Sequence, residues 1–215
     1  MRERGIDNLQ SPSFAEETIL AAQGYRYIAG IDEVGRGALA GPVVAAAVIL
    51  PYRVDAPWLN LVKDSKQLSP AKREFLFPCI RKIALATGIG MASQEIIDSR
   101  GIIRATQLAM KLAIDQLSPP PDTLLIDYIS LPEVKLPQKG IISGDSSCFS
   151  IACASIIAKV TRDRLMVELN ATYPGYGLAK HKGYCTEEHC SCLYRLGPSP
   201  IHRQSFKPVK YLIWK

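Results

Sequence analysis

The chain has 215 residues, 47% of them hydrophobic, and a formal net charge of +6 at pH 7. This length and composition predict one globular domain with a real core and room for a small appendage. No stretch approaches the roughly 20 unbroken apolar residues of a membrane span. The N-terminal MRERGIDNLQ has no signal-peptide core, so we expect a cytoplasmic protein that does not bind membranes.

The positive charge is concentrated near the C-terminus. From residue 180 to residue 215, seven Lys or Arg residues face two Glu residues, which leaves a net charge of +5 in this segment. A local basic field of this kind suits a polyanion such as nucleic acid. A merely solvated basic tail would have the same composition.

Six cysteines in a chain without a secretion signal indicate reduced thiols. Cys185, His189, Cys190 and Cys192 are close in sequence, so a structural zinc site is one possible interpretation. Their spacing is not one of the usual paired C-x-x-C patterns, so a structural zinc is the less favoured interpretation.

The N-terminal part predicts a helix followed by a strand–bend–strand unit. Ser13 and Glu16 have capping-box spacing for a helix over 13–24. An apolar strand at 27–31 leads into Asp32 and Glu33, then Gly35, Arg36 and Gly37 form a bend, and an antiparallel strand follows at 43–50. The next predicted elements are a helix that begins within 64–74 and is capped by Ser69, and a strand at 87–93. A helix is predicted at 101–117, and the residues on one of its faces are Ile103, Thr106, Met110, Ala113 and Leu117. Strands at 123–127 and 141–145, a helix at 150–170, a Gly-Tyr-Lys loop at 173–184 and a helix at 186–196 complete the chain.

This order of elements predicts an α/β domain on a mixed sheet. Asp32, Glu33, Asp127 and Asp145 all fall at predicted strand ends, where ligand sites of α/β folds gather. An Asp-Glu pair beside a turn is often only solvated surface. Four converging carboxylates, however, repel one another unless a divalent cation neutralises them, and hard cations prefer oxygen ligands.

Six segments, in order, resemble bacterial ribonuclease HII over nearly the whole chain. They are GIDEVGRGALAGPVVAAAVIL, DSKQLSPAKRE, LLID, GDSSCFSIACASIIAKVTRDRLM, YPGYGLAKHKGY and GPSPIHRQSFKPV. The resemblance implies a ribonuclease H-like fold over 1–172, with a mixed central sheet flanked by helices, and a helical, basic, substrate-binding extension over 173–215. It also implies cleavage of the RNA strand of RNA/DNA hybrids and incision of duplex DNA at a single embedded ribonucleotide.

The resemblance implies roles for individual residues. Asp32, Glu33, Asp127 and Asp145 match the four acids of the family. Gly35, Arg36 and Gly37 match the turn that contacts the ribo-deoxyribonucleotide junction, and Tyr184 matches the tyrosine that stacks on the following deoxyribose. Three positions depart from the usual pattern, Ala38, Ser147 and Cys148, and none of them removes an acid.

The expected chemistry is phosphodiester hydrolysis with two Mg²⁺ or Mn²⁺ ions about 4 Å apart, the second arriving with the nucleic acid. Asp32 is the expected bridging ligand, with Glu33 and Asp127 on one ion and Asp145 on the other. The candidates for phosphate contacts, which would make binding salt-dependent, are Lys66, Lys180, Lys182, Arg203 and Lys207.

Two alternative functions fit the sequence less well. Ribonuclease HIII has the same fold but a sizeable extra N-terminal domain, whereas only about two dozen residues precede the first predicted strand. A nucleic-acid-binding protein without activity would be expected to lack one of the acids, and all four are present. The resemblance favours a monomer, and KYLIWK is too short and generic to indicate a replication-clamp motif.

Overall fold

The computed structural model describes residues 11–213. Its strands are β1 (Ile28–Val34), β2 (Val43–Ile49), β3 (Ala86–Ala92), β4 (Thr123–Asp127) and β5 (Gln138–Ile141). Its helices are α1 (Ala15–Ala22), α2 (Pro70–Ile83), α3 (Gln94–Arg100), α4 (Ile102–Asp115), α5 (Gly144–Ser147), α6 (Phe149–Thr172), α7 (Leu178–His181), α8 (Glu187–Leu196) and α9 (Val209–Ile213). No helix within these residues is long and apolar enough to cross a membrane.

The strands form one mixed sheet in the order β3-β2-β1-β4-β5. β1 pairs antiparallel with β2 and parallel with β4, and β5 extends the parallel half. The predicted α/β architecture with a mixed sheet flanked by helices is therefore confirmed. β1 is the central strand, so the acids at its end lie in the middle of the sheet.

Helices cover both faces of the sheet because successive side chains of a strand point to opposite sides. Ala29 and Ile31 of β1 pack toward α4, where Met110 is completely buried. On the other face, Ala46 and Val48 of β2 pack with α2 and the apolar first half of α6. α6 approaches β1 so closely that a Cβ on Gly30 would lie 2.2 Å from the carbonyl carbon of Ser150. Glycine is required there, and the backbone of α6 rests on the central strand.

Three local predictions differ from the structure, and one helix has no counterpart among the predictions. Ser13 does not form a capping box with Glu16, because α1 begins at Ala15 and Ser13 pairs instead with Cys148 as an isolated β-bridge. Ile103 is 60% exposed and does not belong to the buried face of α4. α3 was not predicted. The predicted strand at 141–145 ends at Ile141, and residues 144–147 form the short helix α5.

The C-terminal segment packs on the end of α6. Met166 of α6 is buried with Leu39 and Ala40 from the loop after β1 and with Tyr176, Leu193 and several other apolar residues of the C-terminal segment. The predicted boundary between 172 and 173 coincides with the end of α6. The division into a catalytic domain and a substrate-binding extension stays an interpretation.

Candidate active site

Two acids meet because β1 and β4 are parallel neighbours. Ile31 is opposite Ile126 in the register, so Asp32 and Asp127 are the next residues on adjacent strands. Both follow residues that point toward α4, and alternation therefore directs Asp32 and Asp127 to the α6 side. Asp32 is only 5% exposed. The strand ends thus create a local excess of negative charge under α6.

Asp145 joins this pair from α5. The amide of Gly144 donates to Oδ1 of Asp127 at 2.7 Å, which brings the first turn of α5 against the end of β4. Asp145 is buried, and its charge acts on Asp127. The predicted residue is therefore beside Asp127, although it approaches from a helix and not from a strand end.

Lys66 places a cation among these carboxylates. Its Nζ is 2.9 Å from Oδ2 of Asp145 and 3.8 Å from Oδ1 of Asp64. Burial alone would lower the pKa of Lys66, but its hydrogen bond to Asp145 and the charges of Asp145, Asp64 and Asp32 raise it. Sequence reasoning named Lys66 as a phosphate contact and missed Asp64, whose only signal was its place two residues earlier in DSKQ.

Burial makes the remaining acids hard to ionise. It raises the pKa of Asp32 well above its ordinary value, and the charges of Glu33 and Asp127 add to this effect, while the nearby Ser155 hydroxyl opposes it. Burial also raises the pKa of Glu33, although the Arg36 guanidinium, 3.2 Å from Oε1 of Glu33, partly offsets the shift. The pKa of Asp127 is raised by burial too. A cation bound here would relieve all three.

The donor set fits a hard divalent cation. Oε2 of Glu33 is buried without a hydrogen-bond partner among the described residues, and carboxylate oxygens are the ligands that Mg²⁺ and Mn²⁺ prefer. In residues 11–213, no group of three or more His, Cys, Asp or Glu side chains has the spacing to hold a metal ion by itself. Asp145 is held by Lys66 and Asp127 by the Gly144 amide, and Mg²⁺ needs only one or two carboxylates together with a substrate phosphate.

The turn at 35–37 lies next to the acids and against the loop at 177–184. Gly35 has a φ of +92°, a conformation that suits glycine. Ala38 forms a β-bridge with Tyr184, and the amide of Leu39 donates to the carbonyl of Gly183 at 2.7 Å. The structure therefore brings together the two segments that were expected to contact a ribonucleotide.

The expected phosphate contacts divide into exposed and buried residues. Lys180 and Lys207 are exposed, and Lys180 pairs with Glu188. Lys182 is half-buried, and its Nζ donates to the carbonyl of Ala179. The expectation for Arg203 is wrong, because this side chain is completely buried and donates only to backbone carbonyls.

The cysteine and histidine cluster at 185–192 does not form a metal-ligand set in the described part of the chain. Both ring nitrogens of His189 are hydrogen-bonded, Nδ1 to the carbonyl of Tyr184 and Nε2 to His202. The Sγ atoms of Cys185 and Cys190 are 3.6 Å apart as free thiols. The histidine is thus part of the packing beneath Tyr184.

The chain is similar in sequence to known proteins of one family. The sequence profile described as Ribonuclease HII matches residues 29–209. A Ribonuclease HII from Dehalococcoides mccartyi is 58% identical over 94% of this chain and 95% of its own length, and one from Geobacter sulfurreducens is 55% identical over 90% and 88%.

Solved structures show the same fold. The ribonuclease H2 of Pyrococcus horikoshii superposes with a TM-score of 0.72 at 25% identity, covering 86% of this chain and 96% of that one. Ribonuclease HIII from Bst, solved in complex with Mn²⁺, gives a TM-score of 0.63 at 20% identity over 88% of this chain and 70% of that one. The profile and the curated relatives decide between the two types, and the chain belongs to the ribonuclease HII family.

Proposed function

We propose that this type 2 ribonuclease H, whose family acts on RNA/DNA hybrids, also incises duplex DNA at a single embedded ribonucleotide. The observation that carries the proposal is the position of the 35–37 turn, which adjoins both the buried carboxylates and Tyr184. A site of this kind combines a place for phosphodiester hydrolysis with a place to detect one sugar.

The four acids would hold two divalent cations, as the fold family implies. When bound, such ions polarise the scissile phosphate and an attacking water and neutralise the leaving oxygen. Asp32, which lies between Glu33 and Asp127 in the charge network, is the residue best placed to serve both sites. Lys66 donates to Asp145 and so holds that carboxylate in one orientation until cation and substrate arrive.

Selection for a ribonucleotide would depend on backbone amides. In the described residues, the amides of Gly35, Arg36 and Gly37 donate no hydrogen bond to a protein group. The ribose 2′-hydroxyl can accept from such amides, and it is the group that distinguishes RNA from DNA at one position. Tyr184 supplies an aromatic face without base preference, so we expect little sequence specificity.

The test uses three labelled duplexes of one sequence: all DNA, DNA with one ribonucleotide, and an RNA/DNA hybrid. Wild-type protein with Mg²⁺ or Mn²⁺ should cut the second and third and leave the first intact, and chelation should abolish both cuts. Asp32→Asn should bind the duplexes and not cut them. Cleavage of the hybrid alone, or normal turnover by Asp32→Asn, would contradict the proposal.

A further inference from the structure

Two arginine side chains, Arg162 on α6 and Arg203 in the segment before α9, are completely buried. Neither forms an ion pair within residues 11–213. Burial lowers the pKa of Arg203 to about 9, with a contribution from the charge of Arg162, and burial also lowers the pKa of Arg162. Arginine side chains keep their proton in proteins, so both guanidinium groups are buried charges. A buried charge is costly unless it is well hydrogen-bonded, and here every guanidinium nitrogen donates to at least one backbone carbonyl.

Arg203 binds the backbone of the 35–37 turn. Its Nη2 donates to the carbonyl of Gly35 at 2.7 Å, its Nη1 to the carbonyl of Arg36 at 2.8 Å, and its Nε to the carbonyl of Gly41 at 3.0 Å. In a trans peptide the C=O and the following N–H point in opposite directions. Fixing the carbonyls of Gly35 and Arg36 therefore directs the amides of Arg36 and Gly37 away from Arg203.

Arg162 joins the same segment to the loop that carries Tyr184. Its Nε donates to the carbonyl of Pro42 and its Nη2 to the carbonyl of Ala40, both at 3.0 Å. Its Nη1 crosses to the carbonyl of Lys182 at 2.9 Å. The guanidinium carbon is 5.4 Å from the centroid of the Tyr184 ring. Arg162 thus contacts both candidate recognition elements, the segment that follows the 35–37 turn and the loop that carries Tyr184.

Two glycines confirm how closely these parts fit. A Cβ on Gly35 would lie 2.2 Å from Nε of Arg162, and a Cβ on Gly183 would lie 2.7 Å from the carbonyl oxygen of Ala40. The 35–37 turn therefore packs directly against Arg162, and the loop at 177–184 packs directly against the backbone at Ala40.

We infer that Arg162 and Arg203, which we term the arginine clamp, are positioning residues that set the selectivity of the enzyme for a ribonucleotide. They direct the amides of Arg36 and Gly37 away from the protein interior and hold Tyr184 at a fixed place beside them. This inference rests on the proposed role of that turn and goes beyond it, because neither arginine reaches the surface to touch nucleic acid.

The experiment compares Arg162→Lys and Arg203→Lys with the control Arg164→Lys, which is on the same helix but exposed and paired with Glu74. Lysine keeps the charge but cannot span several carbonyls. For each protein, kcat/KM is measured on the duplex with one ribonucleotide and on the RNA/DNA hybrid. We expect the clamp variants to lose about 10- to 100-fold on the first substrate and much less on the hybrid, with a raised KM. Arg164→Lys should match the wild type.

The ratio of the two kcat/KM values separates positioning from simple stability. Loss of folded protein would lower kcat/KM equally on both substrates and leave KM unchanged. An unchanged ratio of the two kcat/KM values would therefore overturn the inference. If the wild type itself fails to cut at a single ribonucleotide, the proposed function fails first. If the lysine variants do not fold, NMR of the wild-type protein tests the inference instead. Ordered amides of Arg36 and Gly37 whose chemical shifts change only with the ribonucleotide-containing duplex would support the arginine clamp. Mobile amides at these two residues would refute it.

Discussion

A chain of buried histidines beneath Tyr184 predicts that the fold loses stability in mild acid. The carbonyl of Tyr184 can only accept, so Nδ1 of His189, 2.9 Å away, carries a proton. Nε2 of His189 then accepts from His202 at 3.0 Å, and Nδ1 of His202 accepts from the amide of Ser199 at 3.0 Å. Both rings must be neutral, because an added proton would place two donors face to face.

The size of the effect follows from His202, which is 1% exposed. Burial, followed by the charge of His189, lowers the pKa of His202 from 6.5 to about 4. In the unfolded chain His202 keeps its ordinary pKa, so it binds a proton at a higher pH than in the folded protein. The contribution of neutral His202 to the free energy of unfolding is therefore complete above pH 6.5 and is lost as the pH falls toward 4. At about 1.4 kcal/mol per pH unit, the free energy of unfolding loses about 2 kcal/mol at pH 5 and about 3 kcal/mol at pH 4.

The assay is urea unfolding at pH 7.5 and pH 5.0 for the wild type, His202→Asn and the control Tyr176→Phe. Acids whose pKa is raised in the fold, such as Asp32, act in the opposite direction, so the comparison between proteins carries the result. His202→Asn should be less stable at pH 7.5 but should lose about 2 kcal/mol less on acidification than the wild type and Tyr176→Phe. An equal loss in all three proteins would refute the reasoning.

Three further predictions concern the site. Asp145→Asn should lower kcat with Mg²⁺ by about 1,000-fold, measured in single turnover on the hybrid, because one ligand charge is removed. Tyr184→Ala should lower kcat/KM at a single ribonucleotide by about 10-fold, whereas Tyr194→Ala, which removes an exposed tyrosine of α8, should not. Gly35→Ala should lower the free energy of unfolding by at least about 1 kcal/mol and reduce cleavage at a single ribonucleotide. The reason is that Gly35 has a φ of +92° and that the Cβ of an alanine there would collide with Arg162.

The parts of the fold that depend on local pattern could be predicted from the sequence. Alternating and continuous apolar runs located the strands, and the acids directly after 27–31 and 123–126 marked the central edge of the sheet. Asp145 was placed on a strand because IISGD continues an apolar run. The positive φ of Ser143, +53°, ends that run in the structure and starts a helical turn.

The buried polar contacts could not be predicted in the same way. A surface arginine and a buried one look alike in a sequence, and Arg203 is buried because its partners are carbonyls more than 160 positions away. Arg162 had no signal at all, since its partners are backbone atoms of three separate residues. The pairing of Lys66 with Asp145 spans 79 positions and depends on how α5 follows the sheet.

α6 contacts both the strand that carries Asp32 and the recognition loops. Near its start it rests on Gly30, Ser155 lies beside Asp32, and Arg162 follows seven residues later. Seven residues are about two turns, so Ser155 and Arg162 share a face about 10 Å apart along the axis. Because a continuous helix transmits displacement along its length, a change that shifts α6 on the sheet moves the acid environment and the arginine clamp together. Loss of hydrolysis and loss of ribonucleotide selectivity should therefore occur together for substitutions in the α6–sheet contact, and separately for substitutions in the loops.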